Sequence, residues 1–164
     1  MGKTKGTQRK AKQSVDEKLR LSTPSRELLE SLALTCASKP SQDSTFQYAF
    51  ALSKTDNEKE LQYAINILDG LVEENYEHQV DCMYGAAQAL YLLKDFDAAR
   101  SRCEAILRVS PDNINTAELH LAAIEGSEDA KEKQQKRAAV EGTIGLAAIG
   151  LGLSVLGMIA SKKR

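Results

Sequence analysis

Apolar residues recur along this chain at helical intervals, and no window shows the two-residue alternation of a strand. Leu28, Leu29, Leu32 and Cys36 mark one face of a helix. Thr23 is its expected N-cap and Pro24 its first residue, and Lys39-Pro40-Ser41 breaks it. Ser44-x-x-Gln47 predicts a capping box for a second helix that ends near Lys54, and Thr55-x-x-Glu58 another for a third that ends near Glu74. A fourth helix is expected over 79–93, a tight turn at Lys94-Asp95, and a fifth helix over 96–109. Ser110-Pro111-Asp112-Asn113 stops that helix. A sixth runs from Ile114 to about Glu125, where Gly126-Ser127 is expected to cap and restart it. Residues 1–22 offer only Val15, Leu19 and Leu21 as sizeable apolar side chains, so a basic, disordered arm is expected there, with room for a short helical turn near 15–21.

One segment is apolar all round. Gly142 to Ala160 holds 19 residues without a charge, and such a helix spans roughly 28 Å at about 1.5 Å per residue, close to a bilayer's hydrocarbon core. Lys131, Lys133, Lys136 and Arg137 precede it, and Lys162, Lys163 and Arg164 follow. The pattern predicts one C-terminal transmembrane tail anchor, inserted after synthesis, with everything before it on one side of the membrane. Ala148/Gly152 and Gly150/Ser154 are small-xxx-small pairs through which two such helices can approach, so a homo-oligomer stays open. The expected organisation is an arm (1–22), a helical domain (23–126), a charged linker (127–141), the anchor (142–160) and a basic tail (161–164).

The third and fifth helices share a pattern. Leu61, Ala64, Leu68, Leu71 and Val72 recur, shifted by 35 residues, as Phe96, Ala99, Cys103, Ile106 and Leu107. A helical pair repeating at about 34 residues is the tetratricopeptide spacing. The second repeat, Val80 to Asn113, keeps Ala86 and Ala87 where helices must approach, Asp95-Phe96 at the turn, Ala99, and Pro111 at its end. Lys94 stands where a turn glycine is usual. The first repeat, Thr45 to His78, is more degenerate. The expected fold is all-α: a tetratricopeptide-like array of about six helices, two repeats with a capping helix at each end. Its concave face is expected to carry Phe46, Ala49 and Ser53 from the first repeat. Asp81, Tyr84, Gln88, Tyr91 and Leu92 follow from the second, and Asn115, Glu118 and Ala122 from the last helix. Tyrosine and leucine in a groove suit a partner helix or extended peptide.

Composition narrows the chemistry further. The net charge of −1 speaks against nucleic acid as a partner, although residues 1–13 carry five bases and no acid. Asp56 to Asp81 carries eight acids against Lys59 alone. Cys36, Cys82 and Cys103 stand singly and read as small apolar residues of a reduced compartment. His78 and His120 lie in no HExxH and beside no cysteine at ligand spacing. Neither catalytic residues, nor a metal, nor a cofactor is expected.

Ser44 to Val72, with Tyr91-Leu92-Leu93-Lys94-Asp95-Phe96 and Ala98-Ala99 after it, resembles the corresponding helices of the mitochondrial fission protein 1 family. The likeness covers residues 41–164 and includes the order of parts. It implies a cytosol-facing adaptor in the outer mitochondrial membrane, often also on peroxisomes. Its expected partner is a dynamin-related GTPase or that enzyme's adaptor proteins, recruited through the concave face for organelle fission. The basic flanks Lys136, Arg137, Lys162, Lys163 and Arg164 would then direct membrane targeting. The alternative is a tail-anchored tetratricopeptide receptor for protein targeting or import on the same membrane. The carboxylate clamp of chaperone receptors is absent, since Ala49, Ser53, Tyr84 and Gln88 occupy its positions.

Overall fold

The computed structural model describes residues 4–160, with side-chain surroundings given as far as Gly142. Among the described residues seven helices follow one another: α1 (Lys5–Leu21), α2 (Arg26–Ser38), α3 (Gln42–Leu52), α4 (Glu58–Glu73), α5 (Gln79–Leu92), α6 (Phe96–Val109) and α7 (Ile114–Ala160). No strand occurs among the described residues. The chain forms two units that meet between Ser127 and Glu128. The first is the helical array, to which α7 contributes its opening turns. In the second, Lys136 and Arg137 are exposed, and Lys136 pairs with Glu132 at 2.8 Å.

Helices α2, α3, α4, α6 and α7 begin where a short polar side chain satisfies backbone N–H groups that the helix leaves orphaned, whereas α1 and α5 start without such a cap. Ser25 accepts from the Leu28 N–H at 3.2 Å and starts α2. Thr23, the expected cap, instead donates its hydroxyl to the Leu19 carbonyl at the end of α1. Ser41 and Ser44 form a reciprocal capping box for α3, so the cap lies three residues before the expected serine. Asn57 caps α4 through the Lys59 and Glu60 N–H groups. Thr55, expected in that role, is buried and bonds back to the Leu52 carbonyl. Asp95 caps α6, and Asn113 accepts from the Thr116 N–H at the start of α7.

Two helices stop in the same way. Asn75 (φ 57°) and Lys94 (φ 63°) take the left-handed conformation just past α4 and α5. The Tyr76 N–H then reaches the Leu71 carbonyl, and the Asp95 N–H the Leu90 carbonyl. This six-residue closure satisfies carbonyls that a helix end leaves open. Lys94 tolerates the conformation at a cost that the usual glycine avoids.

The α3/α4 and α5/α6 pairs stack through small residues. Ala49, Ala64, Ala86, Ala87, Ala89 and Ala99 have no exposed surface. At Gly85 a Cβ would stand 2.9 Å from both Leu68 and Phe50, so α5 can approach α3 and α4 only with glycine there. Leu68 and Ile106 fill the resulting layers and are fully buried, each contributing roughly 2–3 kcal/mol by burial. Arg102 clasps Asp69 with two 2.7 Å hydrogen bonds, tying α6 to α4.

Gly126 is not a cap, because α7 continues through it. A Cβ there would come within 2.6 Å of the Phe96 ring. The glycine marks a close approach between α7 and α6.

Candidate functional site

The expected disordered arm is a helix, and it lies in the groove. α1 buries Ala11, Val15 and Leu19, one residue per turn on a single face. Val15 and Leu19 pack with Ala87 and Tyr91 of α5 and with Leu119, Ala122 and Ala123 of α7. Lys18 meets Glu118 at 2.5 Å and Arg9 meets Glu125 at 3.3 Å, so α1 runs antiparallel to the opening turns of α7. Tyr91 donates its hydroxyl to Asp16 at 2.7 Å, and Lys12 neutralises the other oxygen of that carboxylate at 2.7 Å. Three apolar side chains and a charge-assisted hydrogen bond outweigh the basic composition that suggested disorder. The ordering cost of an isolated polar helix is met by the array.

The expected concave residues divide into three groups. Ala49 and Ser53 have no exposed surface, and the Ser53 hydroxyl bonds the Phe50 carbonyl at 2.8 Å. They belong to the core, because that side of α3 faces its neighbours in the array, and cannot touch a partner. Phe46 joins an aromatic cluster with Phe50, Tyr76 and His78, at centroid distances of 5.3 to 6.2 Å. Asp81 is exposed beside His78. Tyr84, Gln88, Tyr91, Leu92, Asn115, Glu118 and Ala122 do come together, around α1. Tyr91 is 4% exposed and Ala122 fully buried, so α1 takes the contacts that a foreign helix would make.

Alongside α1 the groove keeps an opening of about 240 Å³, lined by Val15, Lys18, Leu19, Phe50, Lys54, Tyr84, Gln88, Asn115 and Glu118 among others. Burial pushes the Tyr84 hydroxyl up to about 12, with a hydrogen bond from Gln88 pulling the other way. Burial also raises the Glu118 carboxyl, but the hydrogen bonds from Lys18 and Ser14 outweigh it and hold the group below its usual range. The sequence reading missed Val15, Leu19, Phe50 and Lys54 as groove residues. Ala11, Val15 and Leu19 at four-residue spacing, and Phe50 one turn after Phe46, were the signals available.

Among the described residues no helix is long and apolar enough to cross a membrane. The side chains of 143–160 and all of Lys162, Lys163 and Arg164 lie outside them, and the expected anchor lies there too. No cluster of metal-ligating side chains occurs among the described residues.

Fold and groove together define a tetratricopeptide-like helical array whose first helix packs into its own groove. Similarity to known proteins narrows this class. Crystal structures of fission protein Fis1 from Saccharomyces cerevisiae match, one with a TM-score of 0.63 at 17% identity over 71% of this chain and 95% of that one. A second, of yeast Fis1 in complex with an Mdv1 fragment containing N-terminal extension and coiled coil domains, has a TM-score of 0.61 at 20% identity, covering 71% and 94%. Mitochondrial fission 1 protein of Yarrowia lipolytica is 28% identical over 123 residues, 73% of each chain. No family model matches. In sequence and in fold the chain resembles the mitochondrial fission 1 proteins.

Proposed function

We propose that this protein is a membrane-anchored adaptor that gathers dynamin-related division machinery on the outer mitochondrial membrane, and on peroxisomes, through its concave helical surface. It acts by contact and not by turnover. The carrying observation is the groove itself: three helices of an array converge on a surface apolar enough to hold a helix, and α1 holds it in the resting chain. The related yeast Fis1, crystallised with a fragment of Mdv1, supports a protein ligand for this kind of array. The uncharged run 142–160 between basic flanks supports the anchor, and anchoring supplies avidity. Many weak groove contacts confined to a surface recruit an oligomer that none would hold alone.

Depletion of the protein in its own cells tests this reading. Mitochondria are expected to become long and fused while precursor import proceeds normally, and re-expression of the full chain restores division. Normal organelle length after depletion, or precursors accumulating in the cytosol, would overturn it.

A further inference from the structure

The opening beside α1 contains two unmet chemical demands. Lys54, two residues past the end of α3, holds its ammonium 4.5 Å over the Phe50 ring centroid. No carboxylate among the described residues pairs with it, and partial burial pushes its pKa down. Removing a cation from water without an anionic partner is costly. Across the same opening Gln88 is 8% exposed, and its Oε1 accepts no hydrogen bond. A buried amide oxygen without a donor is uncommon in folded proteins. The remaining charges at the opening, Lys18 and Glu118, satisfy each other. Lys54 therefore calls for an anion and Gln88 for a donor, in one cavity of about 240 Å³ walled by Phe50, Tyr84 and Leu119. That is smaller than the roughly 300–1,000 Å³ of small-molecule pockets and suits a single side chain.

We propose that this cavity is a specificity subsite for one acidic residue of a partner polypeptide. The partner's carboxylate binds Lys54, a backbone N–H beside it donates to Gln88 Oε1 once the amide turns into the opening, and a neighbouring apolar side chain covers the Phe50 and Tyr84 rings. The proposal rests on the groove reading above and adds the chemistry that selects among partners. A charged hydrogen bond in a part-desolvated site separates acidic from neutral residues by roughly tenfold or more.

The test pans a random peptide library displayed on phage against the full-length chain in neutral detergent. Lys54→Met, Lys54→Glu and Gln88→Leu serve as parallel baits. Lys54→Met keeps an apolar stem over Phe50, and thermal melts verify each fold. The wild type is expected to enrich peptides with Asp or Glu beside an apolar residue. Those peptides should bind Lys54→Met and Gln88→Leu at least several-fold more weakly, and Lys54→Glu should select Lys or Arg instead. Enriched peptides without an acid, or binding equally to wild type and Lys54→Met, overturn the subsite. If such peptides still depend on Tyr84 and Leu92, the groove reading survives the loss. If no peptide binds the groove, both fall.

Discussion

Leu19→Ala isolates the docking of α1. Leu19 is 5% exposed and packs with Val15, Tyr91, Leu119, Ala122 and Ala123. Truncating a buried leucine to alanine costs about 2–5 kcal/mol, less where the surroundings can close over the gap. Leu19 borders two clefts, one on the Lys18 side of α1 and one on the Asp16 side, so the lower end applies. The loss falls on α1 and not on the array, since Leu61, Leu68 and Ile106 do not belong to the cluster that holds α1. About 2 kcal/mol raises the undocked fraction of α1 roughly 30-fold. Undocked, a mostly polar helix of this length frays. Hydrogen exchange of the α1 amides is the assay. Their protection should fall about 30-fold while amides of α4 to α6 keep theirs. Leu21→Ala is the control, because Leu21 is 70% exposed and its loss should change nothing. Unchanged α1 protection, or an equal loss across α4 to α6, would refute the idea that α1 docks as a separate unit.

Two further outcomes follow from particular contacts. Gly126→Ala should lower the melting temperature, although helix propensity alone predicts a gain of about 1 kcal/mol. The added Cβ meets the Phe96 ring, itself packed edge-on against Tyr91, and overpacking of this kind costs about 1–3 kcal/mol. A higher melting temperature would show that the ring yields freely. Acid should also loosen α1. Burial raises the Glu118 carboxyl, but its hydrogen bonds hold it below its usual range, so its stabilisation is full above the unfolded pKa of about 4.3 and is lost as pH falls through the folded value. Exchange of the α1 amides, corrected for intrinsic rates, should stay flat from about pH 7 to 5 and rise below about pH 4. A transition nearer neutrality would assign the control to another group.

The middle of the array was legible because its signal is local. In α4 and α6 the apolar positions repeat within a single helix, and their shared spacing reveals the stacking. Caps were harder. In Ser41-Gln42-Asp43-Ser44 either serine satisfies the local rule, and the difference lies in a hydrogen bond between them. Thr55 and Asn57 posed the same ambiguity, resolved by burial of Thr55 against the Leu52 carbonyl. α1 was legible only as a short turn near 15–21, for a different reason. Its few apolar residues are too sparse to order a segment on their own, and what orders them sits about a hundred positions away, as Lys18 with Glu118 illustrates. Of the expected concave residues, Tyr84, Gln88, Leu92 and Glu118 gather around α1 in the structure. Tetratricopeptide geometry could not reveal that α1 covers them, nor that Lys54 is left without a counter-charge.

The pairing of α1 with α7 also orders events during synthesis. The ribosome makes α1 first, yet Arg9 and Lys18 cannot find Glu125 and Glu118 until the far end of the array has been translated. Until then the nascent chain displays the apolar side of α5 beside an undocked cationic segment. A chaperone that shields one or the other would act on the growing polypeptide and lose its hold once the two have met.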